Sequence, residues 1–216
     1  QTELIEKKQD LDEQFSAKKI FLADARQSEA VFQSVLGNLK KQYQDTEREI
    51  ASSEKLVRQK LTEQERLNKL RDATGATGSL SWPTGSRYIT AYFYDPTYPF
   101  RNIFEHNAVD IRAAYGTSVR AAATGYVGRA RRCTTAACYS YVMLIHSDGI
   151  STVYGHLSSI AVSEDKLVTR GDIIGQSGGT PGTVGAGPFV TGPHLHFEVR
   201  KNGIPVNPLD YLTKDF

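Results

Sequence analysis

Hydrophobic positions recur along this chain with two different periods, and the change falls near residue 72. Before it, Leu4, Leu11, Ala25, Phe32, Leu39 and Leu67 share one heptad position, while Phe15, Leu22, Leu36, Tyr43, Ile50 and Val57 share another. A seam of this kind predicts a coiled-coil helix over residues 1–72. The same stretch has no proline, a single glycine at Gly37, and many Glu, Lys, Gln and Arg residues, all of which favour helix. Lys8, Lys18, Glu29, Thr46, Ser53, Lys60 and Gln64 interrupt the seam, which predicts imperfect packing suited to an exchangeable partner. Leu36 and Leu39 keep the phase across Gly37, favouring one continuous helix over a hairpin broken at Gly37-Asn38. No later segment reads as a long helix, so the partner would come from a second copy, another chain, or residues before Gln1. Such a helix serves as a stalk or as a regulatory docking element.

The small residues from Asp72 to Ser79 predict a flexible linker, placed at 73–81. Beyond it, short runs rich in Val, Ile, Thr and Tyr are separated by Gly, Pro, Asp and Asn, predicting an all-β antiparallel domain over 82–216. The expected strands lie at 87–94, 118–131, 139–145, 150–156 and 194–200, with Gly116, Gly125, Gly149, Gly171 and Gly175 in turns. The fold class is therefore α + β in separate regions.

Charge narrows the partners: 26 basic and 24 acidic residues leave a net charge of +2, which gives no electrostatic footprint for nucleic acid. No apolar run is long enough to span a membrane, and the chain lacks a basic start followed by an apolar signal core. An export signal or anchor would have to precede Gln1. The only cysteines, Cys133 and Cys138, bracket a small polar stretch suited to a hairpin tip, and predict a disulfide formed in an oxidising compartment.

The β region holds all five histidines. In Pro193-His194-Leu195-His196-Phe197-Glu198-Val199 the alternation places His194 and His196 on one strand face and Leu195 and Phe197 on the other, in the core. Glu198 reads as a supporting acid. His106 and Asp110, four residues apart, would present a nitrogen and a carboxylate to one side of an extended strand. The two clusters together supply the three protein donors typical of a catalytic zinc site with an open fourth position. His146 precedes a turn and reads as structural, and Tyr154 as a packing residue; Tyr92, Tyr94 and Tyr98 are candidates for a groove wall.

The clusters gain specificity from their order. His106-x-x-x-Asp110-Ile111, Gly116-Thr117-Ser118-Val119, Tyr154-Gly155-His156-Leu157-Ser158, Gly171-Asp172-Ile173-Ile174-Gly175, Pro193-His194-Leu195-His196-Phe197-Glu198 and Asn207-Pro208 follow one another along residues 82–211. This stretch resembles the LytM/lysostaphin-type (β-lytic) zinc metallopeptidases, which cut peptide bonds in bacterial cell wall. The resemblance implies a two-sheet antiparallel β fold, a Zn2+ held by His106, Asp110 and His196, and catalytic histidines at His156 and His194. It further implies an extracytoplasmic bacterial hydrolase acting on peptidoglycan. As in related division-associated hydrolases, the coiled coil would dock on an ABC-transporter-like membrane complex or self-associate.

Two features depart from the family pattern. Ala108 stands where glycine is common, and the glycine-rich segment 177–192 before His194 is long, predicting a groove wall in which Phe189 offers an apolar contact. Two rival functions share the sequence features: an activator of cell-wall amidases without catalysis of its own, and a wall-binding protein whose helix is the working part. The filled set His106, Asp110, His156, His194 and His196 favours the enzyme.

Overall fold

The computed structural model describes residues 2–61 and 79–214. Most of the linker expected at 73–81 and the side chains of seam residues Leu4, Leu11, Phe15, Leu22, Ala25 and Leu67 lie outside the described residues. Helix α1 (Thr2–Leu61) passes through Gly37 without a break, so the hairpin alternative is discarded. The chain forms two compact units, 1–45 and 46–216. The composition changes near Asp72, whereas the second compact unit starts at Thr46, inside the helix. In the first unit Val31, Phe32 and Val35 are exposed.

Among the described residues the second unit joins the end of α1 to eleven strands: β1 (Ile89–Ala91), β2 (Val109–Arg112), β3 (Ser118–Arg120), β4 (Gly125–Arg131), β5 (Tyr141–Ile145), β6 (Ile150–Gly155), β7 (Leu157–Ile160), β8 (Leu167–Val168), β9 (Ile173–Ser177), β10 (His194–Lys201) and β11 (Ile204–Val206). The larger sheet runs β1-β2-β10-β6-β5-β4-β8, with β11 also on β10, and the smaller runs β3-β9-β7. Among the described residues every pairing between these strands is antiparallel, and an isolated parallel bridge joins Leu80 to Leu212. The single strand expected over 118–131 is two, because the buried Ala121, Ala122 and Ala123 carry the chain from the smaller sheet into the larger. Gly125 lies in β4 and Gly175 in β9 rather than in turns, and close approach explains the glycines there, since a Cβ would come within 2.6 Å of the His146 ring at the first and 2.4 Å of the Ser159 carbonyl at the second.

Alternation decides which side of the larger sheet does what. Leu195, Phe197 and Val199 of β10 join Val109, Ile111, Val142, Leu144 and Tyr154 against Val119, Leu157 and Ile174 of the smaller sheet. The opposite face carries a second apolar cluster in which Tyr126, Tyr141, Met143, Ile145 and Val153 meet Ile50 and Val57 of α1. Ile50, Glu54 and Val57 are the buried residues of that helix segment, spaced as one helical stripe. Burying Ile50 and Val57 contributes about 1.5–3 kcal/mol each. Glu49 pairs with Arg129 at 2.8 Å and with Arg131, but these groups are part-exposed and each pair contributes at most about 1 kcal/mol. Among the described residues, no helix is long and apolar enough to cross a membrane.

Candidate metal centre

Strand register brings the predicted site together. β10 pairs with β2 so that His196 faces Asp110, and with β6 so that His196 faces Gly155. His106 lies before β2 rather than within it, so tertiary contacts hold its ring. Its Nδ1–H donates to the Tyr92 carbonyl at 2.8 Å, and Tyr98 stacks on it at 4.2 Å between centroids. His106 Nε2 then points at Asp110 Oδ1, 3.2 Å away. His196 Nε2 lies 3.3 Å from Glu198 Oε1 and its Nδ1 3.0 Å from Asp110 Oδ1.

These contacts test whether the site fits a metal. With the ring protons directed to the Tyr92 carbonyl and Glu198, the remaining nitrogens of His106 and His196 present lone pairs to a carboxylate. His106, Asp110 and His196 each bring one ligand atom to within 4.8 Å of the others. Converging acceptors repel one another unless a proton or a cation lies among them, and two imidazoles with a carboxylate are ordinary zinc donors. The demand for positive charge shows in the ionisation of the groups. Burial opposes a charged His196, yet hydrogen bonds to Asp110 and Glu198 outweigh it and hold the ring up at about 10. Burial likewise opposes the Asp110 carboxylate, but His106 and His196 keep it well below the usual range. Ala108, the departure from glycine, is buried in the strand approach and is not among the residues with positive φ, so it adds no backbone strain.

His156 and His194 stand beside this cluster with ring centroids 4.8 Å apart. His194 donates Nδ1–H to the Gly192 carbonyl at 2.7 Å, leaving Nε2 at 3.6 Å from Asp110 Oδ2. His156 takes φ of 55°, a left-handed conformation uncommon outside glycine, although histidine adopts it more readily than most residues. It donates Nδ1–H to the Ala186 carbonyl at 2.6 Å, and its Nε2 makes no hydrogen bond among the described residues. Burial, reinforced by His194 and His196, holds His156 well below its ordinary value, which favours the neutral ring.

Several residues of the site were not evident from the sequence. Ala186 belongs to the glycine-rich segment, where Gly185 N–H donates to Thr135 O at 3.1 Å and Gly187 N–H to Ala136 O at 2.8 Å. Thr135 and Ala136 sit in the loop closed by the Cys133–Cys138 disulfide, so that loop braces the carbonyl that orients His156. Tyr139 packs edge-on to His156 at 4.9 Å, and a Cβ on Gly155 would fall 1.9 Å from its hydroxyl. Glycine between Tyr154 and His156 is thus a steric necessity. On the other side Phe189 packs on Phe100 and Phe104 at 5.4 and 4.8 Å, making an aromatic wall with Tyr98, while Tyr92 and Tyr94 are exposed. Tyr154 faces the core, its hydroxyl accepting from Ala122 N–H at 2.8 Å.

Glu198 has a second partner. Its Oε2 accepts from Arg200 at 2.8 Å, and Arg200 reaches Glu47 of α1 at 3.3 Å and Glu54 at 3.8 Å. Burial and the nearby Glu198 push Glu47 up to about 7 against the pull of Arg200.

The profile of peptidase family M23 matches residues 104–208. Over 104 residues the chain is 39% identical to the DD-carboxypeptidase/endopeptidase Mpg of Neisseria meningitidis, covering 48% of this chain and 22% of that protein. The chain thus spans about a fifth of the length of this relative. A zinc-containing peptidase from Vibrio cholerae superposes with a TM-score of 0.51 at 29% identity, over 64% of this chain and 40% of that one. Lysostaphin from Staphylococcus simulans superposes with a TM-score of 0.50 at 31% identity, over 64% and 55% of the respective chains. With the β fold, the ordered motifs and the converging histidines, the match identifies residues 104–208 as a peptidase family M23 domain of the LytM type.

Proposed function

We propose that this protein is a zinc-dependent peptidoglycan endopeptidase, acting outside the bacterial cytoplasm on stem-peptide cross-links or bridges. The observation that carries the reading is the convergence of His106, Asp110 and His196 beside two further histidines, each with one nitrogen anchored on a backbone carbonyl. The relatives support it: one is named a DD-carboxypeptidase/endopeptidase and another a zinc-containing peptidase. A Zn2+ held by His106, Asp110 and His196 would polarise the scissile carbonyl and acidify water for attack at neutral pH.

The chain's own groups do the rest. With Nδ1–H fixed on Ala186 O, neutral His156 turns an Nε2 lone pair to the groove and accepts a proton from the attacking water. His194, fixed through Gly192 O, directs Nε2 to the same place and serves the oxyanion or the leaving amine. The two roles are exchangeable on this geometry. The wall of Phe100, Phe104 and Phe189 supplies apolar contact for substrate.

Digestion of purified peptidoglycan followed by mass spectrometry tests the reading: new amine termini are expected, absent with His106→Ala and after chelation. Termini that persist in both would overturn it. The helix has a regulatory or localising role in this reading, because residues 46–57 of α1 rest on the sheet face that also carries the site. Exposed Val31, Phe32 and Val35 suit a second copy or a division-associated membrane complex. A monomer in sedimentation at micromolar concentration would remove self-association.

A further inference from the structure

On β10 the residues His194, His196, Glu198 and Arg200 share one face, so a strand that begins as metal centre continues as the seat of α1. Four of the groups involved form a chain of contacts. His196 Nε2 meets Glu198 Oε1 at 3.3 Å, Glu198 Oε2 accepts from Arg200 Nη1 at 2.8 Å, and the same Nη1 meets Glu47 Oε2 at 3.3 Å. Glu198 and Arg200 are 2% and 3% exposed, so water screens these interactions weakly. Glu54, also buried, stands 3.8 Å from Arg200 Nε and is held by Arg58 at 2.9 Å.

Burial makes the sharing of Arg200 consequential. A guanidinium facing Glu198 alone would draw the carboxylate's charge toward itself and weaken it as the acceptor that orients His196. With Glu47 on its other side, the same Nη1 is shared between two carboxylates, and Glu198 keeps Oε1 for the imidazole. Partners of metal-ligating histidines fix ring orientation and raise ligand basicity, and their loss typically costs about 10–100-fold in metal affinity. Resting on the assignment of His106, Asp110 and His196 as metal ligands, we propose that Glu47 of α1 is a positioning residue of the metal centre. It acts through Arg200 and Glu198 on His196, so docking of the helix and affinity for the metal are coupled. The coupling is reciprocal: metal binding tightens the docked helix by the same free energy by which docking tightens the metal. The helix is then part of the working centre, and a partner that pulls it away loosens the metal.

The test is equilibrium competition for Zn2+ between a chelating dye and the full chain, with wild type, Glu47→Gln, Glu47→Asp and Glu49→Gln. Glu49 holds the same helix to Arg129 and Arg131, on side chains that do not contact the centre, and so controls for docking in general. Glu47→Gln is expected to bind Zn2+ about fivefold more weakly or worse, one step removed from the effect of a direct partner. Glu47→Asp should recover part of the loss and Glu49→Gln should bind as wild type, with thermal melting verifying that each variant is folded. Equal affinity for Glu47→Gln and wild type overturns the proposal, as does an equal loss in Glu49→Gln, which would assign the effect to docking alone. A wild-type chain that binds no Zn2+ overturns the proposed function as well, which separates the two failures.

Discussion

Two buried histidines, ten residues apart, occupy opposite ends of the same hairpin and differ in what their second ring nitrogen meets. His146, at the end of β5, donates Nδ1–H to Thr124 O at 3.0 Å, and its Nε2 lies 2.8 Å from the Thr152 hydroxyl, which in turn meets Tyr154 at 3.0 Å. His156, at the end of β6, anchors Nδ1 in the same manner but leaves Nε2 toward the groove. Burial lowers both, His146 to about 4. Burial and perturbed ionisation therefore do not distinguish the two. The second nitrogen does: spent on a hydroxyl in the core, it stabilises the fold, and left facing the groove it can take a proton.

The comparison breaks first at the metal donors. His106→Ala, or chelation of the wild type, should abolish measurable release of amine termini, with a fall of at least about 1,000-fold expected when charge stabilisation and water activation are both lost. Next, His156→Ala should lower kcat by about 100- to 10,000-fold while bound zinc and melting temperature stay near wild type. His146→Ala should do the reverse, costing about 2–4 kcal/mol of stability through the unfilled space and the unpaired Thr124 carbonyl. Its activity per folded molecule should survive in assays at low temperature. If His146→Ala lost activity with its stability intact, the division between the two histidines would fail.

Acid offers a finer cut. With a folded value near 4 and an unfolded value near 6.5, His146 binds fewer protons folded than unfolded between these limits. The stability it contributes is thus present above about pH 6.5 and is lost as pH falls toward about 4, amounting to about 3 kcal/mol at most. Melting curves at descending pH should show a steeper decline for wild type than for His146→Gln. Smallest of all is the effect of the brace behind His156. Cys133→Ser with Cys138→Ser should lower kcat by about three- to tenfold through looser orientation of the Ala186 carbonyl, with zinc content unchanged. A double variant with wild-type kcat would show that the glycine-rich segment holds Ala186 unaided.

What could be foreseen from the chain lay in local pattern. Alternation in 194–200 told which histidines share a face and which residues enter the core, because side-chain direction in a strand has a period of two. Gly155 and His156 were visible as part of an ordered motif, but the reason for the glycine, the Tyr139 hydroxyl above it, was not. The same holds for Phe100 and Phe104 against Phe189, since aromatic residues far apart in sequence give no signal of their meeting. The strand expected over 118–131 divides because each short run serves a different sheet, and the alanines between them have strand-compatible composition.

By itself, the sequence indicated a helical region favoured as continuous across Gly37, an antiparallel β region, a cysteine pair and five candidate site residues, all carried by periodicity, composition and motif order. Only the tertiary structure decided that the helix's second half rests on the site-bearing face of the sheet, with Glu47 set against Arg200 across 153 positions of chain. The physical reason is range. Periodicity reports which side of an element is apolar, while the partner that covers it is selected by burial and charge among all distant faces, and a buried Arg200 names its carboxylates only after folding brings them near.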